Sequence, residues 1–302
     1  MPDGRGAWGL SLCALLAASV SAAQSPRPQN PSPMSDTTRP HPRVTEQAPR
    51  GQRTAVSGGT LFVRAGLRPR DRLPLIVHFH GAPWLIEHHV AAQKLDAVLV
   101  TFQLGSGSGV YGSAFADPAR FGTLLEEART GASQLLGRPV SFDPIVLTSF
   151  SAGYGAVRAI LRIPDHYARV SAVILADSLH AAYVGDPSAT RSRDLDVDER
   201  DLDVFLRLAT DAVAGRKRFV VTHSEVFPGT YASTTETADA LLRAAGVVRR
   251  AALHEGPIGM QQLSDSGRGG LRVLGFAGNS APDHLDHLYA LGAWLRRVGL
   301  SP

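Results

Sequence analysis

Apolar and polar positions along this chain follow two alternating periods. Residues 60–64 alternate with the two-residue period of a strand, and residues 73–79 form a more continuously apolar run, as a doubly buried strand requires. Residues 97–102, 145–148, 170–176, 218–222 and 271–276 repeat that signature. Between these runs the period lengthens. Phe121, Leu124, Leu125, Ala128, Ala132, Leu135 and Leu136 fall on one face of a helix predicted over residues 119–136. Ser233 with Glu236 three residues on is a capping box, and it opens a helix that stops at Gly246. Leu285, Leu288, Leu291 and Leu295 point inward from one closing helix over residues 282–298. Residues 247–253 read as a further strand with no evident place. Strands alternating with helices predict an α/β architecture, a mainly parallel sheet covered by helices on both faces. In such sheets reactive groups gather at the carboxyl ends of the strands.

The amino terminus is a different kind of segment. Arg5 sits in a short polar head, an apolar run follows from Ala7 to Val20, and Ser21, Ala22 and Ala23 are small. Residues 1–23 therefore read as a signal peptide cleaved after Ala22 or Ala23, and the processed chain is expected to be secreted or periplasmic. The apolar run is shorter than a membrane span needs, so no stable span is expected after cleavage. The single cysteine, Cys13, lies inside that run, and Leu12 before it is too large for a lipoprotein box. Processing would leave neither a disulfide framework nor thiol chemistry. Residues 24–53 are rich in Pro, Ser, Asn and Arg without apolar period, and are expected to form a disordered linker with nothing to bury. The folded domain is then residues 54–302. The 302-residue chain is 44% hydrophobic, enough for one sizeable core. Its net charge is +4, but the arginines are scattered and no basic-aromatic stripe occurs, so nucleic acid is not an expected partner. Nothing in the sequence signals an oligomeric state.

The chemistry centres on Ser149-Phe150-Ser151-Ala152-Gly153, which lies between the predicted strand ending near Thr148 and a helix carrying Val157, Ile160 and Leu161. A serine at a sharp strand-to-helix turn is pushed out at the strand's carboxyl end, beside the free N–H groups of the helix that follows. Small residues two before and two after it let the backbone turn without a Cβ collision. This stretch resembles the nucleophile elbow of α/β-hydrolases, Gly-x-Ser-x-Gly, with Ser149 standing where the first glycine is usual. The resemblance spans roughly residues 54–302 and implies a Ser-His-acid esterase with Ser151 as nucleophile. His80-Gly81 falls where the family turns its chain toward the nucleophile, which would make the N–H groups of Ala82 and Ala152 the oxyanion hole. His80 then holds the loop, and His78 reads as a core histidine.

The base is expected after the last strand, where His284 and His287 stand, and His284 is favoured as the one nearer the loop. The acid is Asp177 or Glu225; both satisfy the chain order Ser, acid, His. Family habit supports Glu225. Asp177 is preferred because it follows directly on an apolar strand and has the shorter side chain. Asp186, Asp196 and Asp198 lie in a charged loop or lid over residues 185–203, and Trp84, Phe150 and Tyr154 are near the expected pocket. No cofactor is called for, and the partner is a small-molecule or polymer ester. Two other classes compete. His78 with His80, His88 with His89, and His284 with His287 beside Asp283 and Asp286 could ligate a metal, although none has a known three-ligand spacing. A non-catalytic binding protein on the same fold is the other.

Overall fold

The computed structural model describes residues 39–188, 190 and 195–300. The segment expected to be a signal peptide, residues 24–38 of the expected linker and part of the 185–203 loop lie outside the described residues. The strands are β1 (Gly51–Val56), β2 (Gly59–Arg64), β3 (Arg72–Phe79), β4 (Val98–Phe102), β5 (Ser141–Phe150), β6 (Val170–Ala176), β7 (Arg218–His223), β8 (Ala251–Glu255), β9 (Gln261–Arg268) and β10 (Leu271–Phe276). The helices are α1 (Pro83–Ala92), α2 (Ser108–Ala114), α3 (Arg120–Leu136), α4 (Tyr154–Leu161), α5 (Pro164–Arg169), α6 (Asp203–Val213), α7 (Thr234–Ala244), α8 (Ala281–Tyr289) and α9 (Leu291–Arg297).

All ten strands join one open sheet in the order β1-β2-β4-β3-β5-β6-β7-β10-β9-β8. The middle of the sheet, from β4 to β10, is parallel, and β1-β2 and β9-β8 extend it antiparallel at the two edges. Successive residues of the central strands feed opposite layers. Leu75, Val77 and Phe79 pack with α3, α4, α6 and α7 on one face; Ile76, Leu99, Val146 and Ile174 pack with α1, α8 and α9 on the other. This is the architecture expected from the apolar runs and from the resemblance at the serine turn: strands buried on both faces and an open sheet. β4 lies to one side of β3 and β5 to the other. The direction of winding therefore reverses at β3 and β5, where open α/β sheets leave a crevice at the strands' carboxyl ends.

Three expectations change. The closing helix is two helices, α8 and α9, separated at Ala290 (φ −91, ψ 3). Trp294 Nε1 donates to the His287 carbonyl at 2.9 Å, the oxygen a continuous helix would offer to the fourth residue on. The extra strand lies later than expected, as β8 at the sheet edge, and it pairs with β9, which no apolar pattern announces. The buried face of β9 is Gln262, Ser264 and Ser266, while Leu263 lies on its more exposed face, so the strand carries no apolar-inside alternation. Ser264 and Ser266 accept hydrogen bonds from Arg249 Nη1 (3.0 Å) and the Arg250 N–H (2.8 Å), which makes their burial tolerable.

The third concerns the linker. Its described part, residues 39–53, is docked. Gly51–Arg53 open β1, and Arg53 Nε lies 3.0 Å from Glu87 Oε1 on α1. Further back, Arg39 bonds the Asp286 carboxylate on α8, His41 Nδ1 lies 2.7 Å from the same group, and Arg43 Nη2 donates to the Pro282 carbonyl at 2.8 Å. Asp286 is wholly buried and Glu87 nearly so. Charge complementarity with buried carboxylates holds this segment, and a search for apolar periods does not detect it. Among the described residues no helix is long and apolar enough to cross a membrane.

Candidate active site

Ser151 directly follows β5, the strand at the winding reversal. Its backbone is left-handed, φ 47, so the turn is strained for a residue with a Cβ. Two features hold it there. A Cβ at Gly153 would lie 2.1 Å from the Phe79 carbonyl oxygen, so glycine alone lets β3 approach the elbow. Ser178 Oγ donates to the Ser151 carbonyl at 2.7 Å, and Ser149 Oγ lies 2.8 Å from Ser178 Oγ. Since the one Ser178 proton is used on the carbonyl, Ser149 donates to Ser178. The serine in place of the usual first glycine thus anchors the turn from within the core, where it is fully buried.

The loop after β3 turns at His80 (φ 71) and Gly81 (φ 132). A side chain at Gly81 would be strained at that φ and would meet Leu288. His78 Nε2 donates to the His80 carbonyl at 2.8 Å, with Nδ1 at 2.7 Å from Thr148 Oγ1; it is a satisfied core histidine. The His80 ring bonds Tyr111 Oη through Nδ1 at 2.9 Å and stacks on Phe150 at 5.9 Å. Gln103 Oε1 occupies the Gly81 N–H at 2.7 Å. The next N–H, on Ala82, and that of Ala152 have no acceptor among the described residues.

Asp177 follows β6, also with positive φ (42), and is 1% exposed. Its oxygens accept from the Ser224 N–H (2.9 Å), Ser224 Oγ (2.7 Å), Thr234 Oγ1 (2.6 Å) and His284 Nδ1 (2.6 Å). Burial alone would raise this carboxyl's pKa; the imidazoles of His287 and His284 and the hydrogen bonds from His284 and Thr234 outweigh it and hold the group well below the usual range. An ionised carboxylate only accepts, so His284 Nδ1 carries its proton and Nε2 is left as the basic nitrogen. The His284 ring packs 4.5 Å from Phe150, the residue preceding Ser151. His287 is in a different setting. Its Nδ1 meets Thr222 Oγ1 at 2.6 Å, and burial lowers its pKa to about 4, so it is neutral at pH 7. The fold thus brings Ser151, His284 and Asp177 to the same carboxyl edge, with His287 packed beneath.

Glu225 is elsewhere. Its N–H donates to the Gly278 carbonyl (2.9 Å) and its Oε2 accepts from the Gly278 N–H (3.1 Å), so it ties two loops together. Ser178, Ser224 and Thr234 are the residues that sequence reasoning missed. Ser224 directly follows β7, Ser178 is the second residue after β6 and Thr234 lies inside the capping box, the only local hints they offer. Of the histidine pairs weighed as metal ligands, His78 and His287 are bonded as described, and His89 Nε2 bonds the Leu288 carbonyl at 3.1 Å. His41, Asp283 and Asp286 do bring three ligand-type atoms within 4.8 Å of one another. Arg39 reaches both carboxylates and Arg43 reaches Asp286, so guanidinium groups already supply the counter-charge a cation would bring.

Ser151 and Ala152 line a cleft of about 540 Å³ together with Tyr154, His180, Tyr231, Arg158 and Asp201. Trp84 and Phe150, expected near the pocket, do not line it. No protein-family model matches the chain, and no curated protein matches it. Among solved structures it is similar to a Pyrobaculum calidifontis esterase (12% identity, 85% of this chain and 87% of that one, TM-score 0.45). It is also similar to a bacterial heroin esterase (14%, 84% and 86%, TM-score 0.45) and a hormone-sensitive lipase from a metagenome library (12%, 84% and 89%, TM-score 0.43).

Proposed function

We propose that the protein is an exported serine hydrolase that cleaves carboxylic esters through an acyl-enzyme. The observation that carries this reading is the Asp177–His284 hydrogen bond, 2.6 Å, at the same sheet edge as a strained, cleft-facing Ser151. Ser151 Oγ attacks the ester carbonyl carbon while His284 Nε2 takes its proton. The C–O bond to the alcohol breaks, and the imidazolium returns the proton to the departing oxygen. Water then repeats the sequence on the acyl-enzyme, with Ser151 as leaving group. Asp177 acts through His284 by holding its tautomer. The N–H groups of Ala82 and Ala152 receive the oxyanion, a role in which one donor is worth about 3 kcal/mol.

The test is Ser151→Ala with a fluorophosphonate probe alongside. Wild-type protein should take up one probe at Ser151 and lose activity, whereas chelators should leave activity intact. Ser151→Ala should abolish hydrolysis of an activated ester with little change in Tm. Turnover within tenfold of wild type in that variant, or activity lost to a chelator, would overturn the serine mechanism. Export would be checked by fractionating cells that express the full chain; retention of the uncleaved protein in the cytoplasm would count against the signal peptide.

A further inference from the structure

We infer that the cleft beside Ser151 binds a neutral, polyhydroxylated group, and that the ester's alcohol half is a saccharide; this rests on the ester-hydrolase reading. The walls are the first reason. Among the described residues lining the cleft there is no Leu, Ile, Val, Met or Phe. A fatty acyl chain would therefore meet only three alanines and the tyrosine rings as apolar wall, and would desolvate hydroxyl, imidazole and ion-pair groups beside them.

Charge is the second reason. Arg158 Nη1 pairs with Asp201 Oδ1 at 3.1 Å, so the cation lining the cleft is already neutralised. His180 is kept neutral by burial, and its Nδ1 donates to the Ala232 carbonyl at 2.9 Å, which leaves Nε2 an acceptor. A carboxylate or phosphate on the substrate would find no uncompensated positive side chain among the described residues that line the cleft. What remains is a mixture of donors and acceptors. Ser108 Oγ accepts from Tyr154 at 3.1 Å and keeps its own proton, and the Tyr231 hydroxyl has no partner among the described residues. A sugar hydroxyl both donates and accepts, and a vicinal pair can meet a guanidinium and its carboxylate together.

Shape is the third reason. The His180 and Tyr231 rings meet at 84° with centroids 4.9 Å apart, and Tyr154 lies 5.9 Å from His180 at 62°. Rings set edge to face make an angular wall that suits the C–H faces of a puckered sugar better than a flat aromatic acyl group.

Calorimetric titration of Ser151→Ala protein with acetylated xylobiose should show saturable binding. Octyl acetate should not bind measurably. Arg158→Met and the isosteric Asp201→Asn should each weaken saccharide binding by about tenfold or more. In active protein the same substitutions should lower kcat/KM for acetylated xylobiose relative to 4-nitrophenyl acetate, chiefly through KM. Absence of saccharide binding in Ser151→Ala, or unchanged binding in both cleft variants with native melting curves, would overturn the inference. If 4-nitrophenyl acetate is still hydrolysed in that case, the ester-hydrolase reading stands alone. If no ester is hydrolysed but the saccharide binds, that reading fails and the cleft's specificity stands.

Discussion

At the scale of single residues, the two carboxylates weighed as the triad acid make a sharp contrast. Asp177 has four donors, one of them His284, whereas Glu225 accepts from a loop N–H. Asp177→Asn should reduce turnover by roughly 10⁴-fold through the wrong imidazole tautomer. Glu225→Gln should cost less than tenfold, and the reverse ranking on one activated ester would hand the role to Glu225. Because an amide in place of Asp177 would turn a donor toward Ser224 or Thr234, its Tm should fall as well. Turnover should therefore be compared at a temperature where both variants are folded. The residues themselves were legible from strand ends and chain order. Their partners were not, because a hydroxyl that bonds a carboxylate from another element leaves no periodic mark on its own segment.

At the scale of elements, α8 carries His284 and is gripped from outside by the segment before β1. Removing residues 39–49 would strip Arg39, His41 and Arg43 from Asp286, a carboxylate with no exposure. Leaving a buried charge without partners costs about 3 kcal/mol or more. A chain beginning at Arg50 should therefore melt lower than one beginning at Gln24, and activity should fall with it as α8 loosens. Asp286→Asn in the shortened chain should recover part of the lost stability, since it removes the charge that lost its partners. Equal melting temperatures for the two chains would show that the docked segment contributes nothing. β9 teaches a related lesson. Its buried serines are paired by Arg249 and Arg250 from the preceding segment, and Gln262 Nε2 donates to the Ser264 carbonyl at 3.0 Å, so the strand's buried face rests on polar contacts.

At the scale of the whole molecule, burial lowers the pKa of several histidines among the described residues, most strongly at His78, His89, His223 and His287. Burial, the leading cause at each, lowers His78 and His223 to about 3 and His89 and His287 to about 4. Their folded values lie below the unfolded value near 6.5, so the unfolded chain takes up protons first as pH falls. Stability is then complete above about pH 7 and declines below about pH 6.5, by at most about 1.4 kcal/mol per pH unit for each histidine. Asp177, depressed in the folded state, adds its loss only below about pH 4. Urea midpoints measured from pH 8 to pH 5 should fall steadily. A flat profile across that range would mean that these rings are hydrated or protonated in the native state.

The α/β order, the strand-turn-helix at Ser151 and the short list of acids and bases came from the sequence alone. Each depends on local spacing: apolar period, small residues around a turn, and polar residues at strand ends. Tertiary structure decided what spacing cannot carry. It split the last helix at Ala290 by lending the Trp294 indole to a backbone carbonyl, and it brought β9 into the sheet on polar contacts. It also joined Asp177 to His284 across 107 residues and docked Arg39, His41 and Arg43 on Asp286. These are hydrogen bonds and ion pairs between distant segments. Their stabilisation depends on distance and on exclusion of water, which exist only once the chain has folded.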